Sequence, residues 1–162
     1  MIRQAQAADT PAIAALWNPV IRDTTITFTS AVKTADGLAQ DIALKAAQDL
    51  PFLLAETAGG ALQGFATYGP FRNGPGYAHT MEHTIILAPE ARGQGVGAGL
   101  MAQLQAHAAG QGVHSLWAGV SAENPGGVAF HRAIGFAEIA RLPEVGRKFG
   151  RWLDLILMKK IL

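Results

Sequence analysis

Apolar positions in this chain recur with two rhythms, about 3.6 and about two residues, and the changes of rhythm mark out its elements. Residues 2–6 read as a short strand. Asp9-Thr10-Pro11 reads as a cap with Pro in the first helical turn. Ile13, Leu16, Trp17, Val20 and Ile21 then fall on one helical stripe. The β-branched Thr24–Thr29 stretch follows as a loop, and a second helix fits 34–48 with Leu38 and Ile42 inward. Pro51–Glu56 and the segment ending at Tyr68 read as strands joined by the Gly59-Gly60 turn. Gly69–Gly76 is a loop and 77–87 a longer strand. Val96, Leu100, Met101, Leu104 and Ala108 make a helical stripe that ends near Gly110 or Gly112. Val113–Ser121 is a strand, and Asn124–Ala133 a short helix stopped by Gly135. Phe136–Leu142 and Arg151–Met158 are the last strands, with a turn around Gly146–Gly150. The order βααβββαβαββ predicts an α/β (α+β) fold, a mixed and mostly antiparallel sheet of about seven strands flanked by about four helices on both faces.

Composition narrows the function. With 162 residues, 49% of them hydrophobic and 15% charged, the chain has enough apolar material for one well-packed domain over 1–162. A net charge of +1 gives no electrostatic reason to expect nucleic acid as a partner. There is no cysteine, hence no disulfide, thiol nucleophile or thiolate metal site. Met1-Ile2-Arg3-Gln4-Ala5 lacks the apolar core of a signal peptide, and no apolar run reaches membrane-spanning length. The expectation is a cytoplasmic protein that works on neither membrane nor nucleic acid.

The most informative stretch is Arg92-Gly93-Gln94-Gly95-Val96-Gly97-Ala98, between the apolar run Ile85-Ile86-Leu87 and the helix that follows. A strand, a glycine loop and a helix start form an anion site, because first-turn N–H groups point outward and the helix dipole favours negative charge. Glycines let backbone approach a bulky phosphate. No Lys-Ser or Lys-Thr pair ends the motif, so it is not a Walker loop. Gly93, Gly95 and Ala98 match the dinucleotide pattern only loosely: the loop lies mid-chain, and Val113–Trp117 offers no acid at a strand end. The alternative is a glycine-rich turn with no ligand.

Glu82 stands in a strand of mostly apolar and β-branched residues, sharing a face with Thr80, Thr84 and Ile86. Desolvation there would raise its pKa from about 4.3 towards neutrality, as a general base for an amine requires. The alternative is a surface carboxylate or an ion pair. His79-Thr80-Met81-Glu82-His83 also spells a zinc-hydrolase motif, but that motif needs a helix. On a strand the two histidines lie about 13 Å apart, too far to share one tetrahedral zinc. No metal is expected, and His83 reads as a packing or hydrogen-bonding residue.

The form Arg/Gln-x-x-Gly-x-Gly/Ala at 92–97 resembles the acetyl-CoA pyrophosphate loop of the GCN5-related N-acetyltransferases. Asn124 to Phe136 is similar to that superfamily's Asn-x-x-small-x-x-hydrophobic-Tyr/His-x-x-x-Gly-Phe segment. Three further blocks resemble the phosphinothricin / methionine sulfoximine N-acetyltransferases over nearly the whole chain: Thr24-Thr25 with Phe28, Tyr77–His83, and Gly146–Asp154. The family's Ser-Val-Tyr after Glu-His is Thr84-Ile85-Ile86 here, and its Ser after Asn is Gly127.

The resemblance implies acetyl-CoA as co-substrate, bound by Ile85, Ile86, Leu87, Arg92, Gly93, Gln94, Gly95, Val96, Gly97 and Ala98, with Asn124 on the pantetheine arm. It implies Glu82 as base, His131 near the sulfur, and Phe28 and Arg72 beside a small-molecule amine. It also implies a homodimer. Transfer would be direct, with N–H groups of Ile86 and Leu87 polarising the thioester carbonyl. Plainer roles remain open: a capping Asn124, a packing His131 or Phe28, a solvated Arg72, and Phe149 and Trp152 as wall or interface. Two other functions fit the same chain: an N-terminal acetyltransferase of proteins or peptides, and a non-catalytic acyl-CoA sensor.

Overall fold

The computed structural model describes residues 1–162. Its strands are β1 (Ile2–Gln4), β2 (Phe52–Glu56), β3 (Leu62–Pro70), β4 (Thr80–Leu87), β5 (Ser115–Ser121), β6 (Ala137–Lys148) and β7 (Arg151–Ile161). Its helices are α1 (Thr10–Asp23), α2 (Ala35–Ala47), α3 (Val96–Gly110) and α4 (Pro125–Ala133). The expected order therefore holds, and the departures are local. Asp9 does not cap α1 with its side chain. Its carboxylate instead accepts from Arg3 at 2.7 and 2.8 Å and from the Gln6 N–H at 2.7 Å. Strand β4 begins at Thr80 rather than residue 77, because Pro75–Tyr77 close a 3-10 turn behind Gly74.

The final hairpin is longer than the sequence suggested. The expected strand ends at Leu142, before Pro143, yet β6 continues to Lys148. It lies at the sheet edge and is bulged between Leu142 and Gly146, the setting in which an edge strand tolerates Pro. Asp154 on β7 holds that bulge, accepting from the Glu144 N–H and from Arg141 Nε, each at 2.9 Å. The turn proper is only Phe149-Gly150, both at positive φ (51° and 76°), the two-residue arrangement that matches strand twist.

All seven strands join one sheet in the order β1-β2-β3-β4-β5-β7-β6. Every neighbouring pair is antiparallel except β4 and β5. Strand alternation sends apolar side chains to both faces. Leu53, Ala55, Ala66 and Tyr68 join Leu100, Met101 and Leu104 of α3 in one core. Phe52, Leu54, Phe65 and Ile86 join Ile13, Leu38 and Ile42 of α1 and α2 in the other. The sheet is thus fixed from both sides, and the one parallel pair in it is β4–β5. No helix is long and apolar enough to cross a membrane.

Candidate active site

Strands β4 and β5 pair only over Thr80–Glu82 and Ser115–Trp117, then separate. Beyond that point β4 stays bonded to β3, and β5 to β7. A cavity of about 360 Å³ opens in the fork, lined by residues 82–86 on one side and 118–121 on the other. Asn124, His131 and Phe28, three of the expected site residues, line it as well.

The backbone at the fork is polarised in a definite pattern. Phe71 N–H donates to Thr80 O, and Ala88 N–H to Gln63 O, so even-numbered residues of β4 turn their polar groups towards β3. The N–H of Ile86 is therefore bonded into β3. The N–H groups facing the fork are those of Ile85 and Leu87, which corrects the expected Ile86–Leu87 pair of carbonyl-polarising donors.

Glu82 lies half-buried at the root of the fork. Burial raises its carboxyl pKa, and the positive charge of Arg72 opposes this in part. A Cβ at Gly119 on β5 would come within 2.9 Å of Glu82 Oε1, so a glycine at this strand position leaves room for the carboxylate. Arg72 itself is exposed on the loop before β4, with its guanidinium 5.3 Å from the Phe71 ring. It is not among the residues that line the cavity, and it acts on Glu82 through its charge from the loop.

The glycine loop divides by role. Gly93 (φ 74°) and Gly95 (φ 79°) adopt left-handed backbone, and a Cβ on either would meet nothing within 4 Å. Both face open space, and no side chain caps the start of α3 at Gly95. First-turn N–H groups are thus left facing solvent, the arrangement a phosphate requires. Arg92 and Ala98 are exposed here, while Gln94 donates to Glu90 O at 2.5 Å. Gly97 is different: it is buried, and its Cβ would lie 3.0 Å from Leu87 and 3.1 Å from Phe130. It sets helix-to-strand packing, and Val96 packs against the same core.

Asn124 caps α4, its Oδ1 accepting from the Gly127 N–H at 2.9 Å, and the residue lines the cavity. Gly127 is required by that contact, since a Cβ there would lie 2.5 Å from Asn124 Nδ2. His131 is 6% exposed and His83 7%. Their Nε2 atoms are 2.9 Å apart. His79 lies elsewhere, 2.7 Å from Gly112 O through its Nδ1.

The outer wall is the Thr24–Thr29 loop, pinned by the β6–β7 hairpin. Lys148, 6% exposed, donates to Ile21 O and Thr24 O at 2.6 Å and to Thr27 O at 2.8 Å. Phe28 rests on Gly146, where any Cβ would overlap its ring. Thr25 donates to Glu123, which Arg151 also grips with two hydrogen bonds. The sequence alone did not reveal Lys148, Gly119, Trp17, Ser121 or Leu155 as site residues; only the glycine inside an apolar strand carried a signal. Phe149 and Trp152 are exposed and line no part of the cavity.

Comparison with known proteins shows the family of the chain. The chain is 35% identical over 158 residues to an L-methionine sulfoximine/L-methionine sulfone acetyltransferase of Pseudomonas paraeruginosa, covering 98% of this chain and 92% of that one. It superposes with a TM-score of 0.95 and 40% identity on a ribosomal-protein-alanine N-acetyltransferase from Brucella melitensis, covering 100% and 99% of the two chains. It superposes at 0.94 and 30% identity on a phosphinothricin acetyltransferase from Sinorhizobium meliloti in complex with AcCoA, covering 100% and 88%. With residues 17–136 matching the acetyltransferase (GNAT) family, the chain belongs to that family and is an acetyl-transferring enzyme.

Proposed function

We propose that this protein transfers the acetyl group of acetyl-CoA directly to the amino group of a small amino acid or analogue, with methionine sulfoximine, methionine sulfone and phosphinothricin as substrates. The observation that carries the reading is Glu82. It is a carboxylate of raised pKa at the root of a cavity of about 360 Å³, and the charge of Arg72, on the loop before β4, acts on it. An anion for an ammonium beside a cation for an acid group suits a zwitterion.

In this reading the Gly93–Gly95 surface and the α3 N-terminus receive the pyrophosphate, Asn124 Nδ2 bonds the pantetheine arm, and the thioester carbonyl meets an N–H of the fork. Glu82 removes a proton from the ammonium, directly or through water. The free amine attacks, and His131 returns a proton to the departing sulfur. The whole of 1–162 acts as one domain. A homodimer accords with the exposed Val145, Phe149 and Trp152 on the last hairpin, and sedimentation of the purified protein tests it.

A protein N-terminus is the second reading, favoured by the 40% identity to the Brucella melitensis protein. The pinned Thr24–Thr29 wall favours the smaller substrate. The test is a panel of amino acids, their decarboxylated amines and Ala-initiated peptides with acetyl-CoA, following thiol release. Acetylation of the amino acids alone supports the proposal. Peptide turnover that exceeds theirs replaces it with the second reading.

A further inference from the structure

The two buried histidines at the cavity carry a proton count that fixes their charge. His83 Nδ1 lies 2.9 Å from Trp117 O, His131 Nδ1 lies 2.7 Å from Gly127 O, and the two Nε2 atoms lie 2.9 Å apart. A carbonyl oxygen only accepts, so each Nδ1 must carry its hydrogen. The Nε2–Nε2 contact needs a hydrogen of its own, because two lone pairs at that separation repel. Three contacts require three hydrogens, and two neutral imidazoles supply only two.

We infer that His83 and His131 act as one unit that holds a single extra proton between their Nε2 atoms, and that this is the proton delivered to the sulfur of the leaving thiolate. The inference rests on the proposed acetyl transfer. His83 is the positioning residue, acting through His131. The remaining surroundings are neutral. Phe136 packs on both rings, with centroids 5.3 Å from His83 and 5.4 Å from His131. Ala118, Val120 and Ser121 of β5 bear no charge. Glu82 follows the opposite face of β4, Glu123 is bound to Arg151, and Arg132 on α4 pairs with Glu138. The one charged neighbour acting on His83 is His131.

The three contacts call for one extra proton and leave no place for a second. Burial opposes charge on both rings. Burial, with the charge of His131 adding to it, pushes His83 down to about 3. The two rings titrate as a pair, one step for the shared proton and one, far more acidic, for the next.

The proton balance of transfer is then complete. The substrate ammonium loses one proton to Glu82 before attack. The amine nitrogen forms its bond to the acetyl carbon, and the C–S bond breaks with its electron pair moving to sulfur. The bridging proton passes to sulfur to give the free thiol. That leaves both Nε2 lone pairs opposed, so the pair recaptures the second proton shed by the acylated nitrogen. The Glu82 proton goes to solvent.

The test is a count of imidazole hydrogens by nitrogen-15 NMR on the wild-type protein without substrate, between about pH 6 and 8. Expected are three nitrogen-bound hydrogens over His83 and His131, one of them bridging. Two hydrogens, one per ring, overturn the inference whatever the enzyme acetylates. The second arm is His83→Gln, whose amide can bond His131 but cannot share a positive charge. Its kcat should fall about 10- to 100-fold at neutral pH, within the range general acid–base catalysis supplies. The alkaline limb of its kcat profile should move to lower pH, with acetyl-CoA affinity by calorimetry unchanged. An unmoved limb removes the pair from proton delivery. A variant that does not fold leaves the NMR count to decide, and failure of the amine panel would instead strike the proposed function.

Discussion

At the scale of single residues, Glu82 yields the sharpest expectations. Glu82→Gln should lower kcat/KM by about 10²–10⁴ with acetyl-CoA affinity held. The loss should narrow at high pH, where free amine exists without a base, and a rate profile against pH checks it. The same substitution has a consequence for stability. A carboxyl whose folded pKa is raised binds its proton more tightly folded than unfolded, so wild-type stability falls as pH rises from the ordinary value through the raised one. Glu82→Gln should therefore be more stable than wild type at neutral pH and equal to it in acid, as denaturant titrations at both pH values would show. Arg72→Ala should raise KM for the amino acid by the equivalent of roughly 1.5–3 kcal/mol and leave KM for acetyl-CoA alone; decarboxylated substrates reacting as well as their parents would make Arg72 a bystander. Glu82 was legible because a carboxylate in an apolar strand is anomalous. The His83–His131 contact was not, since 47 residues separate the two and no local pattern links them.

At the scale of elements, the sequence announced what each segment is more clearly than what holds it in place. The stripe on α3 and the alternation on β4 follow from local periodicity, and both formed. Strand β6 overran its expected end because its bulge is stabilised from β7 by Asp154, a contact invisible in β6 itself. Lys148 was equally hidden: a lysine beside a turn ordinarily points to solvent. Here its ammonium joins the end of α1 to the wall of the cavity. Lys148→Met removes donors from three carbonyls, and leaving such groups unpaired costs roughly 1–3 kcal/mol. The expected result is a lower midpoint in denaturant and a raised KM for the amine, with KM for acetyl-CoA unchanged. A loss of stability with amine KM intact would make the lysine purely structural.

For the whole molecule, acetyl-CoA would touch both halves of the sheet, at the α3 start after β4 and at the α4 cap after β5. A ligand that binds only the folded state stabilises it by mass action, about 2.7 kcal/mol at a hundredfold excess over Kd. For a protein of this size that is a rise in Tm of roughly 5–10 °C. Gly95→Asp should abolish the rise by setting an anion against the phosphates, while Gly95→Asn, with the same backbone strain and no charge, should keep part of it. Equal rises in both variants and the parent would remove the loop from the binding site. The two-sided sheet was readable from composition and element order. The fork was not, because where a parallel pair stops is decided by three-dimensional register rather than by any residue in it.

That fork places an unsatisfied strand edge in the interior of a sheet, where proteins ordinarily have none. Exposed edges at a sheet's rim invite other chains to add on, and their owners defend them with charges, prolines and bulges. The edge of Ile85 and Leu87 has no such defences and is enclosed by helices on both faces. It opens into the cavity of the fork and not onto the rim of the sheet. What can reach it is narrow, extended and rich in amides, and such a guest would satisfy the edge as a borrowed strand does.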